Sequence, residues 1–296
     1  MRVKITAILL LLPNLLQAEL EPAWFNSGMN NRDITFSPDG SIMLTTITAP
    51  RHQSAVIAIS QRKGKTWSPL EVVPFSGSYP DIEPAFAPDG QYLYFASKRP
   101  KPGREGSDWD LWRVAFTNNH WGKPEHLGDA VNTQGNEFYP SITRSGKLYF
   151  TATREDTVGR EDIYVAHQVE GKFIHVENVG SPVNSAVDEF NAFIAPDESY
   201  LLFGAHRREG EIGGGDIYYS RKTATGFSDP VLLPAPVNTD RLDYCPSVAN
   251  GRLYFTSERF GSADLTTMPG VEKAYQSPGN GFGDIYSVNI DAILPE

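Results

Sequence analysis

The stretch "EPAFAPDGQYLYFASKRP", beginning at Glu83, returns along the chain in recognisable copies. They are "ITFSPDGSIMLTTIT", "YPSITRSGKLYFTATRED", "NAFIAPDESYLLFGAHRRE" and "CPSVANGRLYFTSERFG". Aligned on the turn, the five copies centre on Asp39-Gly40, Asp89-Gly90, Ser145-Gly146, Asp197-Glu198 and Asn250-Gly251, spaced by 50, 56, 52 and 53 residues. A fixed period of this size means that one supersecondary unit stacks against copies of itself, since a single unit cannot bury its apolar face alone. Alternation of period two makes the flanks of each turn strands, and Asp-Gly makes a tight connection.

The remainder of each unit repeats as well. A strand such as "KLYFTATR" is followed by a Gly-rich loop and then by "DLWRV" at Asp110, "DIYVA" at Asp162, "DIYYS" at Asp216 or "DIYSV" at Asp284. An aromatic comes next (Trp67, Trp121, Phe173, Phe227), and "VNT", "VNS" and "VNT" at Val131, Val183 and Val237 lead into the following unit. Each unit is therefore four short strands, and no stretch between them carries helical periodicity. Four-stranded antiparallel sheets bury both faces when arranged radially, so the expected fold is all-β, a five-bladed β-propeller. The fifth unit ends one strand short, so the N-terminal "ELEPAWFNSG" is expected to supply that strand and close the ring. Six blades fit less well, because no room is left for another ~52-residue unit. The first unit is degenerate: it lacks the strand-two Arg and the strand-three Asp.

The "xxPDGxxLxF…R…DIY" pattern resembles the TolB-type propeller repeat over roughly residues 30 to 290. The resemblance implies the propeller fold and an exported protein. It does not carry over the α/β domain that precedes the propeller in TolB, nor the hydrolase domain of prolyl oligopeptidase-like enzymes, for no G-x-S-x-G is present.

Residues 1–18 read as a secretory leader: Arg2 and Lys4, then "ITAILLLLPNLL", then "LQA" ahead of a cut near Ala18–Glu19. No cysteine lies near the cut, so no lipid anchor is expected, and residues 19–296 form one domain in the periplasm or outside the cell. No later segment is apolar enough to span a bilayer. Cleavage takes the net charge from −10 to −12, which disfavours nucleic acid as a partner. Cys245 is the only cysteine, so no intramolecular disulfide forms.

One column of polar residues opens the inner strands: Asn31, Asp81, Glu137, Glu189 and Asp243. Two positions on come Asp33, Glu83, Tyr139, Asn191 and Cys245. Inner strands border the propeller's central channel, so up to six carboxylates are expected near its mouth, where they would need protons, arginines or a hard cation. The candidate ligand-binding residues are Asp33, Asp81, Glu83, Glu137, Tyr139, Glu189, Asn191 and Asp243. No cofactor is expected, a structural Ca²⁺ at the channel mouth being the one candidate. A second column, Arg99, Arg154, Arg207 and Arg259, is expected to pair with Asp110, Asp162, Asp216 and Asp284, or those Asp residues to cap backbone amides. The aromatic column is expected to pack between blades. The expected function is binding, as a monomer, of an envelope protein, cell-wall or glycan ligand. The alternative is a carbohydrate-active enzyme, a glycoside hydrolase or lyase using channel-mouth carboxylates.

Overall fold

The computed structural model describes residues 18–26, 28–49, 53–101 and 108–295, so the leader lies outside the described residues apart from Ala18. Five antiparallel sheets account for the repeat. Their inner strands are Asn30–Phe36, Asp81–Phe86, Glu137–Ile142, Asp188–Ile194 and Asp243–Ala249. Second strands follow at Ile42–Thr48, Tyr92–Ser97, Leu148–Ala152, Tyr200–His206 and Arg252–Ser257. Third strands are Ala55–Lys63, Asp110–Thr117, Asp162–Val169, Asp216–Thr223 and Asp284–Asn289. Each inner strand packs beside the next, and the fifth returns to the first, which closes a five-bladed propeller.

The outer strand is continuous only in blade 3, at Lys172–Asn178. In blades 1, 2 and 4 it splits into two short pieces around Pro69, Pro124 and Pro230. Proline has no N–H to give the ladder and is tolerated at such an edge. In blade 5 the outer strand is Glu21–Pro22, from the other end of the chain, with Glu21 opposite Ser287 and Pro22 opposite Tyr286. The ring is closed by the N-terminal strand, as the missing fourth strand required.

The Asn of each "VNT" or "VNS" acts as an extra rung on the third strand. The Asn132 side chain accepts from Leu111 N at 2.7 Å and donates to Leu111 O at 3.0 Å. Asn184 treats Ile163 alike at 2.9 and 2.8 Å, and Asn238 treats Ile217 alike at 2.8 and 2.9 Å. Asn26 repeats the geometry on Ile285 at 3.0 and 2.7 Å. Asn26 lies five residues before Asn31, as Asn132, Asn184 and Asn238 lie before Glu137, Glu189 and Asp243. "FNS" is thus the last blade's copy of the motif, moved to the start of the sequence. In the degenerate first blade Ser76, at the same five-residue offset from Asp81, accepts from Ile57 N at 3.1 Å.

A separate apolar cluster fills each blade interface. Trp67, Trp121, Phe173 and Phe227 each join one of them, as expected for inter-blade packing. The closing interface has the smallest fully buried set, Phe25, Ile34, Met43 and Ile285.

Two expectations change. The stretch between the second and third strands of the fifth unit, where no helical periodicity was read, contains a helix, α1, Met268–Tyr275, capped by the Thr267 side chain accepting from Gly270 N and with none of its residues buried. Local capping rather than apolar periodicity makes it, so no pattern announced it. The strand-two arginine of blade 4 is Arg208, not Arg207. Arg208 donates to the carbonyls of Val183 at 3.1 Å and Pro182 at 2.7 Å, while Arg207 points to solvent at φ 60°.

Candidate functional site

The first polar column holds turns. Glu137 accepts from Thr133 N and Oγ1 at 3.0 and 2.6 Å, Glu189 from Ser185 N and Oγ at 3.0 and 2.5 Å, and Asp243 from Thr239 N and Oγ1 at 2.6 and 2.7 Å. Asp81 accepts instead from Ser97 Oγ and Arg99 Nη2, both at 2.6 Å. The strand-two arginines complete this layer: Arg259 reaches Asp243 at 3.1 Å and the carbonyls of Pro236 and Val237. They pair with the first-column acids and turn carbonyls rather than with the strand-three Asp residues. Of the latter, Asp162, Asp216 and Asp284 cap loop amides, at Val158, Ile212 and Gly279. Burial pushes Glu137 up to about 7, against the Thr133 hydrogen bonds, and raises Glu189 and Asp243 as well. Neither channel mouth is lined by Asp81, Glu137, Glu189 or Asp243.

The second column lies on the axis. Every inner strand breaks register there. The residue at the break has left-handed backbone: Asp33 at φ 55°, Glu83 at 60°, Tyr139 at 50°, Asn191 at 50° and Cys245 at 53°. A bulge of this kind re-aims one side chain, here toward the channel. The strained amides find acceptors in the neighbouring blade: Glu83 N in Thr46, Asn191 N in Thr151 and Asp33 N in Thr256. Blade 2 has Ala96 where these blades have threonine, and Tyr139 N donates instead to Glu83 Oε2 at 2.7 Å.

These side chains close the channel. Arg32 Nε donates to Asp33 at 3.1 Å, and its Nη2 donates to Glu83 Oε1 at 2.8 Å. Asn191 Nδ2 reaches Glu83 Oε1 at 3.4 Å, Cys245 Sγ reaches Asn191 Oδ1 at 3.4 Å, and Tyr139 donates its hydroxyl to Pro246 O at 2.8 Å. One guanidinium thus faces two carboxyl groups in a buried cluster. Burial opposes the Arg32 charge, but Asp33 and the other neighbours outweigh it and hold Arg32 well above its usual value. Burial pushes Glu83 up to about 8, with Arg32 opposing and Asp33 adding. Burial also raises the Cys245 thiol well above its usual value, which makes it a packed group rather than a nucleophile. Of the six expected carboxylates, two, Asp33 and Glu83, meet here. Among the described residues no group of three or more His, Cys, Asp or Glu is placed to hold a metal ion.

The closed cluster separates two cavities. One, of about 340 Å³, opens at the hairpin-turn ends of all five inner strands, and Pro84, Phe86, Pro140, Ile142 and Phe193 give it apolar walls. The other, of about 570 Å³, opens where the inner strands begin. Glu83 and Arg32 form its floor, with Lys98, Trp109, Phe138, Arg160, Glu161, Asp188, Phe190, Asn191 and His206 around them. Phe190 and His206 lie 4.6 Å apart at 35°. Two glycines make room for them: a Cβ on Gly204 would come within 2.6 Å of the Phe190 ring, and one on Gly215 within 2.6 Å of His206. On the other wall Trp109 and Phe138 are 5.9 Å apart, and Lys98 sits over the Trp109 face at 5.2 Å. Of the expected ligand-binding residues, only Glu83 and Asn191 line this cavity.

No protein-family model matches the sequence, and no curated protein is similar to it in sequence. Solved structures are similar in fold. A BT0996 complex with RGII superposes with a TM-score of 0.58 at 9% identity, covering 91% of this protein and 89% of that one. A glycoside hydrolase gives 0.57 at 9% identity, with coverage of 91% and 89%. TolB from Acinetobacter baumannii gives 0.48 at 12% identity, and this protein, matched over 88% of its length, spans 55% of TolB. The likeness is one of fold. It extends over nearly the whole propeller and leaves the chemistry of the cavity to its own residues. Among the described residues no helix is long and apolar enough to cross a membrane.

Proposed function

We propose that this propeller is an exported binding protein that takes a glycan into the cavity at the start of its inner strands. The observation that carries the reading is the lining of that cavity. Half-buried Phe138, Phe190 and His206 offer flat faces, and Lys98, Arg160, Glu161 and Asp188 offer donors and acceptors around them. Sugar rings present apolar faces and edges of hydroxyl groups that both donate and accept, so they suit such a mixture. The volume is that of a small-molecule site with a few oriented polar groups. The closed floor makes it a pocket rather than a pore. Export rests on the leader-like residues 1–18.

The test is a glycan array followed by calorimetry on the hits, with Phe190→Ala and Arg113→Ala compared. Loss of one aromatic face should weaken binding roughly tenfold. Arg113, which pairs with Glu125 away from this cavity, should be silent. Full affinity in Phe190→Ala would remove the site, and an array without hits would remove the function.

The rival reading, a carbohydrate-active enzyme, has one observation on its side: two carboxyl groups, Glu161 and Asp188, share the cavity. Release of reducing ends from a bound glycan by the wild type and not by Glu161→Gln would establish it.

A further inference from the structure

The cavity at the hairpin-turn ends carries a single charge on its rim. Among the described residues that line it, only Glu83 and Arg144 are charged, and Glu83 lies at the floor with its oxygens taken by Arg32 and Tyr139 N. Arg144 stands where the repeat elsewhere has proline: Pro38, Pro88 and Pro196 precede the turn acid in blades 1, 2 and 4. Proline suits that turn position because its φ is already set. The Arg144 amide donates to Pro196 O at 2.8 Å, which a proline could not do. That bond explains the loss of proline and not the choice of arginine. The side chain is exposed, and its guanidinium makes no hydrogen bond or ion pair among the described residues. The acids of the turns are held by their own turns: Asp39 accepts from Ser37 and Ser41, Asp89 from Gln91 N, and Asp197 from Ser199. None of these three lines the cavity.

Below that guanidinium the walls are largely apolar. Phe36, Phe193 and Val248 are half-buried and still present surface, with Phe86 and Ile142 deeper in. Two of the hydroxyls among them serve the next blade: Thr35 accepts from Phe86 N at 3.1 Å and Ser141 from Ile194 N at 3.0 Å. A ligand that matches both parts has an apolar tail and an anionic end. A carboxylate fits the fork of the guanidinium, and the tail removes apolar wall from water. A sugar ring, with hydroxyls on every edge, would leave several of them unpaired against these walls. The volume of about 340 Å³ and the closed floor suit a small molecule. We propose that the turn-end cavity is a second binding site, which takes small aliphatic carboxylates tail first with the carboxylate on Arg144. It lies at the opposite mouth from the glycan cavity and does not rest on that reading.

The experiment titrates the mature protein by calorimetry with octanoate, octan-1-ol and octylammonium, each below its micellar range. Octanoate should bind roughly three- to tenfold tighter than octanol, between the strength of an exposed ion pair and that of a charge-assisted hydrogen bond, and octylammonium should bind most weakly. Arg144→Gln, which keeps the amide, should bring octanoate to the level of octanol. Phe193→Ala should weaken both, and Phe190→Ala, at the other mouth, should bind octanoate as the wild type does. No binding of octanoate, equal affinity for octanoate and octanol, or a preference that survives Arg144→Gln overturns the inference. Binding lost in Phe190→Ala and kept in Phe193→Ala places the ligand in the glycan cavity and also overturns it. A short peptide ending in phenylalanine that binds where octanoate does not would assign this mouth to a chain terminus instead. Should Phe193→Ala fail to fold, the wild-type comparison and Arg144→Gln decide the matter. The glycan array bears on none of these outcomes, so the two sites stand or fall separately.

Discussion

Replacing Asn26 with alanine should loosen the ring at its seam. Its side chain now accepts from Ile285 N at 3.0 Å and donates to Ile285 O at 2.7 Å. The carbonyl keeps a second donor, Ala23 N at 2.8 Å, but the amide of the fully buried Ile285 would be left without its partner. An orphaned buried amide costs about 1–3 kcal/mol, and the loss of the second hydrogen bond adds about 1 kcal/mol. The sum is about 2–4 kcal/mol, which for a chain of this size lowers the melting temperature by about 5–15 °C. Asn238→Ala, which removes the same rung inside blade 4, should cost as much. Asn26→Ser should recover part of the loss, since a serine hydroxyl serves the equivalent amide of Ile57. Calorimetric melts of the three variants decide it. An Asn26→Ala protein within ~0.5 kcal/mol of wild type, the range of an indifferent surface change, beside a destabilised Asn238→Ala would show that the N-terminal segment is a tail and that the seam closes without it.

Three further outcomes are expected. Glu83, Glu137 and Asp284 are held near 8, 7 and 6 against usual values of 4.5, 4.5 and 3.8, so the folded state binds more protons across that span. Stability should therefore be highest below about pH 4.5 for these groups and fall as pH rises toward 8. Glu83→Gln should flatten that fall in melts from pH 5 to 8, and an unchanged slope would contradict the assignment. Arg208→Ala should cost about 2–4 kcal/mol through lost bonds to Val183 and Pro182, while Arg207→Ala stays within ~0.5 kcal/mol; chemical unfolding of the pair checks the register of blade 4. Millimolar Ca²⁺ or EDTA should leave the melting temperature unchanged, because Asp81, Glu137, Glu189 and Asp243 already accept from hydroxyls, amides and arginines; a rise with Ca²⁺ would show a cation site.

Blade number, strand order and ring closure were legible because they follow from periodicity, which survives any local detail. Both polar columns were legible as columns, but their roles were not. Period-two alternation puts Asp81 and Glu83 on one face, whereas the bulge at Glu83 turns the second side chain to the axis and leaves the first among the turns. Proline after Glu83, Tyr139 and Cys245 was the one available sign of irregular backbone there. "FNS" at Phe25 could have been read as a fifth "VNT", since its five-residue offset from Asn31 matches the others, but Phe for Val hid it. Trp109, Glu161, Asp188 and His206 were invisible as a group. They come from loops and strand ends of three blades, and only the curvature of the ring brings them to one cavity.

The seam between Asn26 and Ile285 spans 259 positions of sequence, so the earliest strand of the ring to be made waits for the ring's last. At 5–20 residues per second that interval is about 15–50 s. Throughout it the N-terminal strand has no ladder to join. A chain cut short inside the fifth unit, before Asp284, keeps four blades and an unmatched sheet edge, the kind of surface that recruits other chains. Closure of the circle therefore doubles as a checkpoint on synthesis: the ring shuts only once Glu21–Pro22 and Asp284–Asn289 are both present.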